Sequence, residues 1–141
     1  MIHRLIILFF LSLDSAIPEE NIEQAIDACA ESTIPLPVCL SIAYHESRFN
    51  PEAIGPVLKS GRRALGMMQV IPTFYSMQEP VDIHSFYGSV LYGEAAFSYW
   101  YKRSNQRIEK ALCHYAAGNK CHQPYADKIL TTSYNLILDI F

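Results

Sequence analysis

The chain has 141 residues, of which half are hydrophobic and 18% are charged, and its formal net charge at pH 7 is −3. This length suits one domain, which would bury about 70% of the surface that the unfolded chain exposes. The composition excludes a disordered chain. The small negative charge argues against nucleic acid as a partner, because phosphate binding normally needs a concentrated basic patch.

The N-terminal segment differs from the rest of the chain. A basic start precedes an apolar run at residues 5–13, and small and polar residues end that run near Ala16. This pattern is typical of a secretory signal peptide, so we expect residues 1–16 to be a leader and residues 17–141 to be the exported domain. The run is shorter than the ~20 apolar residues that span a bilayer, so no stable membrane span is expected. The alternative is a buried N-terminal helix.

Helical periodicity dominates the remainder of the chain. Together with proline and capping residues it predicts a short helix capped by Asn21 and a helix over residues 37–49. A loop over 51–66, with room for a small hairpin, and a short helix over 67–75 broken at Pro72 are expected next. Three further helices are predicted: one from 82 or 85 to 103, one from 106 to 117, and one from 125 to the C-terminus. No convincing alternating strand, internal repeat or linker interrupts this series. We therefore expect a single, mainly α domain of lysozyme size.

Apolar stripes are present on three of these helices besides the second one. In the first, the stripe comprises Ile22, Ala25, Ile26 and Cys29. In the long helix, apolar residues recur at near-helical intervals at Phe86, Val90, Phe97 and either Trp100 or Tyr101. In the last helix, the stripe comprises Leu130, Tyr134, Ile137, Leu138 and Phe141. Such stripes are expected to face the core.

The cysteines fit an exported protein. An even number of cysteines favours disulfides outside the cytoplasm, although four cysteines allow three pairings. The short separations favour pairing of Cys29 with Cys39 and of Cys113 with Cys121. Zinc is the rival, because a histidine follows each of the last two cysteines. Adjacent residues on a helix do not share a face, so we favour disulfides and expect neither a metal nor a cofactor.

One carboxylate has a position that points to chemistry. Glu46 lies on the same face of the second predicted helix as Cys39, Ile42 and Ala43, so it continues an apolar stripe. It also lies in the last turn, where the helix dipole disfavours negative charge. Both effects raise a pKa above the ordinary value of about 4.3, which suits a general acid. The alternative is a Glu at the rim of the core that forms a salt bridge with Arg48 or a lysine.

Four segments of the chain carry recognisable motif sequences. They are Glu-Ser-Arg-Phe-Asn-Pro at 46–51, Ala-Leu-Gly-Met-Met-Gln-Val-Ile-Pro at 64–72, Ala-Leu-Cys-His-Tyr-Ala-Ala-Gly-Asn at 111–119 and Tyr-Ala-Asp-Lys-Ile-Leu at 125–130. A weaker signature, Val90 with Gly93, lies between the second and third segments. In this order they resemble the motifs of the lytic transglycosylase family with the soluble lytic transglycosylase domain, over about residues 24–131. The clear departure is Ala116, where the family usually has Asn, and His114 for the usual Ala is a smaller one.

The resemblance implies a goose-type lysozyme-like helical fold and a reaction. The bond cleaved would be the β-1,4 bond between N-acetylmuramic acid and N-acetylglucosamine in peptidoglycan. Glu46 would protonate the glycosidic oxygen and then deprotonate the muramic acid 6-hydroxyl, whose attack forms a 1,6-anhydro product. The usual glycosidase needs two carboxylates. Here the nucleophile belongs to the substrate, and no second Asp or Glu of the chain occupies a motif position.

The resemblance also implies supporting residues. Ser47 is expected to hydrogen-bond near the catalytic carboxyl or the substrate, and Met68 and Gln69 are expected to line the cleft. Tyr115 and Tyr125 are expected to wall the site, with one hydroxyl near the catalytic carboxyl. Without the resemblance, the tyrosines and the methionine would be interpreted as packing residues, and Gln69 as a helix-surface residue.

Two other functions are open on the same fold. One is hydrolysis, as in a lysozyme, with water as the nucleophile. The other is a non-catalytic subunit that binds peptidoglycan within an envelope-spanning machine. In each case the partner is the glycan strand, and the location is the periplasm or cell envelope. The small size resembles specialised family members that open the wall for secretion, conjugation or phage machines.

Overall fold

The computed structural model describes residues 1–75 and 77–141. Within them lie six α-helices and two short 3-10 helices, and no regular β-strand. The α-helices are α1 (Ile2–Leu13), α2 (Glu19–Ala30), α3 (Leu36–Ser47), α4 (Phe86–Arg103), α5 (Ile108–Ala117) and α6 (Gln123–Ile140), and the 3-10 helices are Pro72–Phe74 and Gly118–Lys120. The prediction of a mainly α domain is confirmed.

Helix α3 lies at the centre of the domain. It packs against α2 and α6, while α5 packs against both α4 and α6. Seven consecutive residues of α3, residues 38–44, are buried. A helix that is hydrophobic on all sides is expected in the middle of a core rather than at its surface. The helix that bears Glu46 in its last turn therefore lies in the core, packed against α2 and α6.

The predicted boundaries of α2 and α3 need correction. Asn21 does not cap α2, because the helix begins at Glu19, and the Asn21 side-chain amide instead donates to the Phe49 carbonyl at 3.1 Å. Helix α3 ends at Ser47 rather than at Phe49, since Arg48 (φ 55°) and Phe49 (φ 62°) adopt left-handed conformations. The Phe49 N–H bonds back to α3, and the ring is completely buried. Burial of this ring turns the chain out of the helix.

The segment between α3 and α4 is irregular. The small hairpin allowed for residues 51–66 occurs only as isolated antiparallel bridges, Ile54 with Leu65 and Leu65 with Val70. The predicted helix over 67–75 is wrong apart from the single 3-10 turn at Pro72–Phe74; residue 76 lies outside the described residues. A left-handed residue within a tight turn prevents continuous helix there, as shown for Gln69 below.

The predicted start of α4 is confirmed, whereas the apolar stripe predicted to be buried on α6 is wrong. Ser85, the later of the two predicted starts, caps α4 by accepting the Gly88 N–H at 2.9 Å. In α6 the buried residues are Tyr125, Ala126, Ile129, Ser133 and Leu136. The predicted stripe is mostly exposed, with Leu138 at 58% and Phe141 at 91%. Both faces of α6 are apolar enough to satisfy helical periodicity, so periodicity alone chose the wrong one.

Helix α1 packs on the rest of the domain. Phe10 is completely buried, with its ring centroid 5.5 Å from that of Tyr44 and 4.9 Å from that of Phe49. Arg48 pairs with Asp14, just after the helix, at 3.5 Å. Among the helices of residues 1–75 and 77–141, none is both long and apolar enough to cross a bilayer.

The cysteines form the two local pairs that the sequence predicts. The Cα atoms of Cys29 and Cys39 are 5.9 Å apart, and those of Cys113 and Cys121 are 4.5 Å apart, both within the range of disulfides. The first pair joins α2 to α3, and the second closes the end of α5. Among the residues that the structure describes, no group of three or more His, Cys, Asp or Glu side chains is arranged to hold a metal ion.

Candidate active site

A cavity of about 600 Å³ contains several of the predicted site residues. Its lining comes from the end of α3, the irregular segment after it, the middle of α4 and the end of α5, and it includes Glu46, Gln69 and Tyr115. This volume is typical of small-molecule sites. A second cavity of about 560 Å³, between α2 and the start of α4, includes none of the predicted site residues.

Glu46 is a partly buried carboxyl whose pKa is strongly shifted. Burial raises the pKa of Glu46 from 4.5 to about 7, while the hydrogen bond from Tyr125 and the positive charge of Lys128 oppose that rise. The Tyr125 hydroxyl donates to the Glu46 Oε2 at 2.7 Å. Within the described residues no cation forms an ion pair with Glu46, and Arg48 turns away to Asp14 and the Tyr44 ring. Near neutral pH the group can therefore both give and accept a proton.

Two tyrosines stand beside this carboxyl. The rings of Tyr115 and Tyr125 are stacked, with centroids 6.4 Å apart and 9° between their planes. The Tyr115 hydroxyl donates to the Met68 carbonyl at 2.8 Å. Burial and the charge of Glu46 raise the pKa of both tyrosines well above the ordinary value. Both hydroxyls are therefore protonated donors at neutral pH, and residues far apart in sequence meet at Glu46.

A tight turn presents Gln69 to the cavity. Gln69 has a left-handed backbone (φ 51°), and its side-chain amide donates to the Gly66 carbonyl at 3.0 Å. Gly66 has φ 81°, and a Cβ there would lie 2.4 Å from the Ile83 carbonyl oxygen, so only glycine fits. At Gly55 a Cβ would lie 2.7 Å from the Gln69 Oε1, so a side chain there would displace the Gln69 amide. The two glycines allow the close approach that fixes Gln69.

Met68 and Ser47 lie behind the cavity surface. The Met68 side chain is completely buried, against Gly93, where a Cβ would come within 2.9 Å of it. The Ser47 hydroxyl donates to the Met67 carbonyl at 2.8 Å and accepts the Asn50 N–H at 3.0 Å. In this structure Ser47 joins the end of α3 to the turn at 66–70, whereas Met68 packs on α4 and its carbonyl accepts from Tyr115 of α5. Neither side chain is part of the cavity lining. Their direct contact with substrate stays a prediction.

Five aromatic side chains that the sequence did not assign to the site also line the cavity: Phe74, Tyr75, Tyr99, Trp100 and His114. The last four are called the aromatic wall below. The sequence stripe predicts Trp100 or Tyr101 as a core residue, yet Trp100 is partly exposed in the cavity. One signal was available: the aromatic residues 99–101 are consecutive, and neighbours on a helix point about 100° apart, so they cannot all face the core.

His45, although adjacent to Glu46 in sequence, faces away from the cavity. Its Nε2 lies 2.7 Å from the Thr132 hydroxyl on α6. Burial, with the positive charges of Lys128 and Arg48, lowers the pKa of His45 to about 4, so the ring is neutral at physiological pH. Among the described residues that line the cavity, Glu46 is the only carboxylate.

The family of the chain follows from a comparison with known proteins. The family model described as the transglycosylase SLT domain matches residues 21–135, which include every residue of the candidate site. No curated protein and no solved structure matches the chain significantly. The match covers most of the chain, and the four motif segments lie within it. The chain therefore belongs to the SLT-domain transglycosylase family, whose members generally act on peptidoglycan as lytic transglycosylases.

Proposed function

We propose that this protein is a peptidoglycan lytic transglycosylase. It cleaves the β-1,4 bond between N-acetylmuramic acid and N-acetylglucosamine and leaves a 1,6-anhydro-N-acetylmuramic acid end. The observation that supports this most is one carboxyl, Glu46, with a pKa of about 7, in a cavity of the size of a ligand site. Glu46 acts as both the acid and the base.

In the first step, protonated Glu46 donates its proton to the glycosidic oxygen. The bond from the muramic acid C1 to that oxygen breaks, and the N-acetylglucosamine side leaves as an alcohol. The hydrogen bond from Tyr125, 2.7 Å from the carboxyl, stabilises the carboxylate that forms. Positive charge develops at C1, next to the new carboxylate.

In the second step, the Glu46 carboxylate removes the proton from the muramic acid 6-hydroxyl. The 6-oxygen attacks C1 of the same sugar, which closes the anhydro ring, and Glu46 is protonated again. No water is consumed, and no second carboxylate is required. Among the described cavity-lining residues no second carboxylate is found to serve as a nucleophile or to activate water, which favours this route over a two-carboxylate mechanism.

The remaining predicted residues position the reacting groups. Gln69 and Tyr115 line the cavity and contact the glycan, with the Tyr115 ring placed by its bond to the Met68 carbonyl. Ser47 holds the end of α3, and with it Glu46, against the turn at 66–70 through its bond to the Met67 carbonyl. Met68 packs the same turn against Gly93 of α4.

Product analysis tests the proposal. Purified sacculi are digested with the wild type, with Glu46→Gln and with Glu52→Gln, a matched change of an exposed carboxylate outside the cavity. We expect anhydro ends, which are lighter than reducing ends by one water, from the wild type and Glu52→Gln and no cleavage by Glu46→Gln. Reducing ends would instead establish a hydrolase. Absence of cleavage by the wild type would establish a non-catalytic binding protein.

We also propose that the protein is exported and that residues 1–16 are the leader. The apolar N-terminal sequence and a substrate outside the cytoplasm support this. Removing α1 would uncover the rings of Tyr44 and Phe49, so the processed domain should be less stable than the full chain. N-terminal sequencing of the protein from cells tests export. A mature chain that starts at Met1 would show that α1 is retained as part of the core.

A further inference from the structure

Helix α1 covers an apolar surface that the other helices build. It packs against α2 and α6, and its completely buried Phe10 ring contacts the rings of Tyr44 in α3 and Phe49 just after α3. The family model starts at residue 21, so Tyr44 and Phe49 lie within the matched residues and α1 lies before them. The covered surface is therefore a feature of the family domain, whereas α1 is not part of the match.

Removal of the leader would expose two aromatic rings beside a guanidinium group. With α1 in place, Tyr44 is 7% exposed and Phe49 is completely buried. Arg48 is held beside them by contacts that do not involve α1, because its guanidinium donates to the Tyr44 carbonyl at 2.8 Å and lies 4.2 Å from the Tyr44 ring centroid. Tyr, Phe and Arg are enriched at protein interfaces. We call Tyr44, Arg48 and Phe49 the α3-end surface.

The α3-end surface lies outside the cavity that holds Glu46. None of its three residues is among the described residues that line that cavity. Arg48 and Phe49 nevertheless follow directly after Ser47, where the helix that carries Glu46 ends. A ligand on this surface would therefore contact the end of that helix and leave the cavity open to a glycan strand.

The contacts of α1 show which chemistry this surface accepts. Ile6, Ile7 and Phe10, on the buried face of α1, are each at most 5% exposed. Asp14 follows Phe10 by four residues, and its carboxylate pairs with the Arg48 guanidinium at 3.5 Å. The matching ligand is therefore a helix with large apolar side chains on one face and a carboxylate just beyond its C-terminal end.

Two other ligands match this surface less well. Residues 1–16 contain one Arg and one Asp, so the domain without them keeps the net charge of −3, which disfavours an anionic membrane surface. In a symmetric dimer the same patch meets itself, so two Arg48 guanidinium groups would approach each other without the carboxylate that Asp14 supplies. A helix of a different protein avoids both kinds of mismatch.

We propose that, once the leader has been removed, the α3-end surface binds an apolar helix of a partner protein. In the precursor, α1 occupies the place of this partner helix, with Phe10 on the two aromatic rings and Asp14 on Arg48. The inference rests on the proposed export and removal of the leader, but it requires no particular reaction at Glu46. The partner helix holds the protein in place and leaves the cavity accessible.

A peptide with the sequence of α1 tests whether the mature surface accepts such a helix. The protein is purified from cells after its N-terminus has been sequenced. The peptide covers residues 1–15 with Leu5→Lys and Leu13→Lys, at positions 40% and 47% exposed in α1, which makes it soluble. Fluorescence anisotropy of the labelled peptide should show saturable binding. Absence of binding, or a mature chain that still contains α1, would overturn the inference.

Matched changes test the mode of binding. In the peptide, Phe10→Ala should weaken binding at least about thirtyfold, the loss expected for a central interface residue. Leu8→Ala, at a position 47% exposed on the same helix, should leave the affinity unchanged. In the protein, Arg48→Gln should weaken binding about two- to threefold, since the ion pair with Asp14 is partly exposed. Equal effects of Phe10→Ala and Leu8→Ala would refute a specific helix site.

Cross-linking in cells identifies the ligand. A photoreactive amino acid in place of Arg48 is compared with the same group in place of Lys102, an exposed residue in the last turn of α4. Mass spectrometry should find, from position 48 only, a partner segment with a helical apolar pattern and an Asp or Glu at its end. Cross-links only to lipid, cross-links only to a second copy, or the absence of any cross-link would each overturn the inference.

These experiments are independent of the enzyme assignment. If the mature protein cleaves sacculi to anhydro ends but binds neither the peptide nor a partner helix, the binding surface is wrong and the proposed function stands. If the peptide binds with the expected dependence on Phe10 but sacculi are not cleaved, the binding surface stands and the enzyme assignment fails.

Discussion

The two sides of the cavity are held in different ways. On the acid side, the polar groups of Glu46, Gln69 and Tyr115 are fixed by hydrogen bonds of 2.7–3.0 Å. On the aromatic wall, ring packing at centroid distances of 4.8–5.9 Å holds most of the surface. Hydrogen bonds fix the positions of single atoms, whereas ring packing fixes an apolar surface. The acid side therefore suits proton transfer, which needs fixed positions of donor and acceptor, and the wall suits contact with an apolar face of a ligand.

The largest effect is expected from Glu46→Gln, which removes the acid and leaves the shape. Cleavage should be lost almost completely, because one group performs both proton transfers. Stability at neutral pH should be equal or higher. The folded-state pKa of about 7 lies above the ordinary 4.5, so ionisation costs the wild type stability as pH rises from about 4.5 to about 7. A neutral Gln avoids that cost and can still accept from Tyr125.

Two measurements check this prediction: turbidity of sacculi for activity, and thermal melts across that pH window for stability. The melting temperatures of the two proteins should coincide at the acid end and separate toward pH 7. Appreciable residual cleavage would identify another residue as the acid. A variant that melts several degrees lower at pH 7 would make Glu46 a structural partner.

The second effect is expected from Tyr125→Phe. In the wild type, the hydrogen bond from the Tyr125 hydroxyl favours the ionised form of Glu46. Its removal should therefore raise the Glu46 pKa further. The alkaline limb of the kcat/KM profile should then move to higher pH. Loss of a hydrogen bond to a charged group should lower kcat about ten- to hundredfold. Tyr134→Phe, an exposed tyrosine on the same helix, is the control. An unshifted limb would mean that Glu46 does not set the alkaline pKa.

The acid side could be predicted from sequence, whereas the wall could not. Glu46 is marked by a local pattern, a carboxylate on an apolar helix face, and the motif segments supplied its neighbours. Even so, the burial of Met68 depends on Gly93 of α4, and the signature at Val90 and Gly93 does not tell which side chain packs there. Trp100 and His114 meet only because α4 packs on α5. Their contact is a tertiary fact, and helical periodicity placed Trp100 in the core instead.

The same distinction explains the fold predictions. Local periodicity predicted the longer helices after residue 17 in their order, whereas the short helix predicted over 67–75 was wrong. The end of α3 and the choice of buried face on α6 depend on what the rest of the chain places beside them. Phe49 leaves the helix because α1 and Tyr44 provide a pocket for its ring. Cleavage of a leader would remove the Phe10 ring of α1 that packs on Phe49. N-terminal sequencing therefore tests both the predicted leader and the place of α1 in the fold.

A third, intermediate effect is expected from the disulfide at the end of α5, which supports both sides of the cavity. Cys113 and Cys121 close the segment that carries His114 and Tyr115. Replacing both cysteines by Ser should lower the free energy of unfolding by about 2–3 kcal/mol. Activity should also fall at a temperature where the variant is folded, because the positions of His114 on the aromatic wall and of Tyr115 on the acid side become less fixed. Denaturant melts and sacculus assays measure the two effects.

The other cysteine pair is the matched control. Cys29 and Cys39 enclose a loop of similar length near the opposite end of α3 from Glu46. Removing that pair should cost similar stability with little loss of activity in the folded protein. Equal losses of activity in the two variants would mean that the cavity responds to global stability only, and the comparison of the two sides would lose its local basis.

The smallest effect is expected where the two sides join. Ala116 is exposed, lines the cavity and stands between Tyr115 of the acid side and the end of α5. Ala116→Asn places there the residue that the related motif usually has. Asn is a weaker helix former than Ala, so the variant should lose at most about 0.7 kcal/mol of stability. With Glu46 already hydrogen-bonded by Tyr125, an added amide should change kcat less than about threefold, because the carboxyl needs no further donor to ionise reversibly near neutral pH. Steady-state kinetics on soluble glycan strands measure this, with Ala30→Asn, at an exposed position in the last turn of α2 and outside the cavity, as the control. An increase in kcat of tenfold or more would show that the acid side of this chain lacks a polar contact that the reaction uses. The hydrogen bonds around Glu46 would then be incomplete, and the comparison of the two sides would have to be revised.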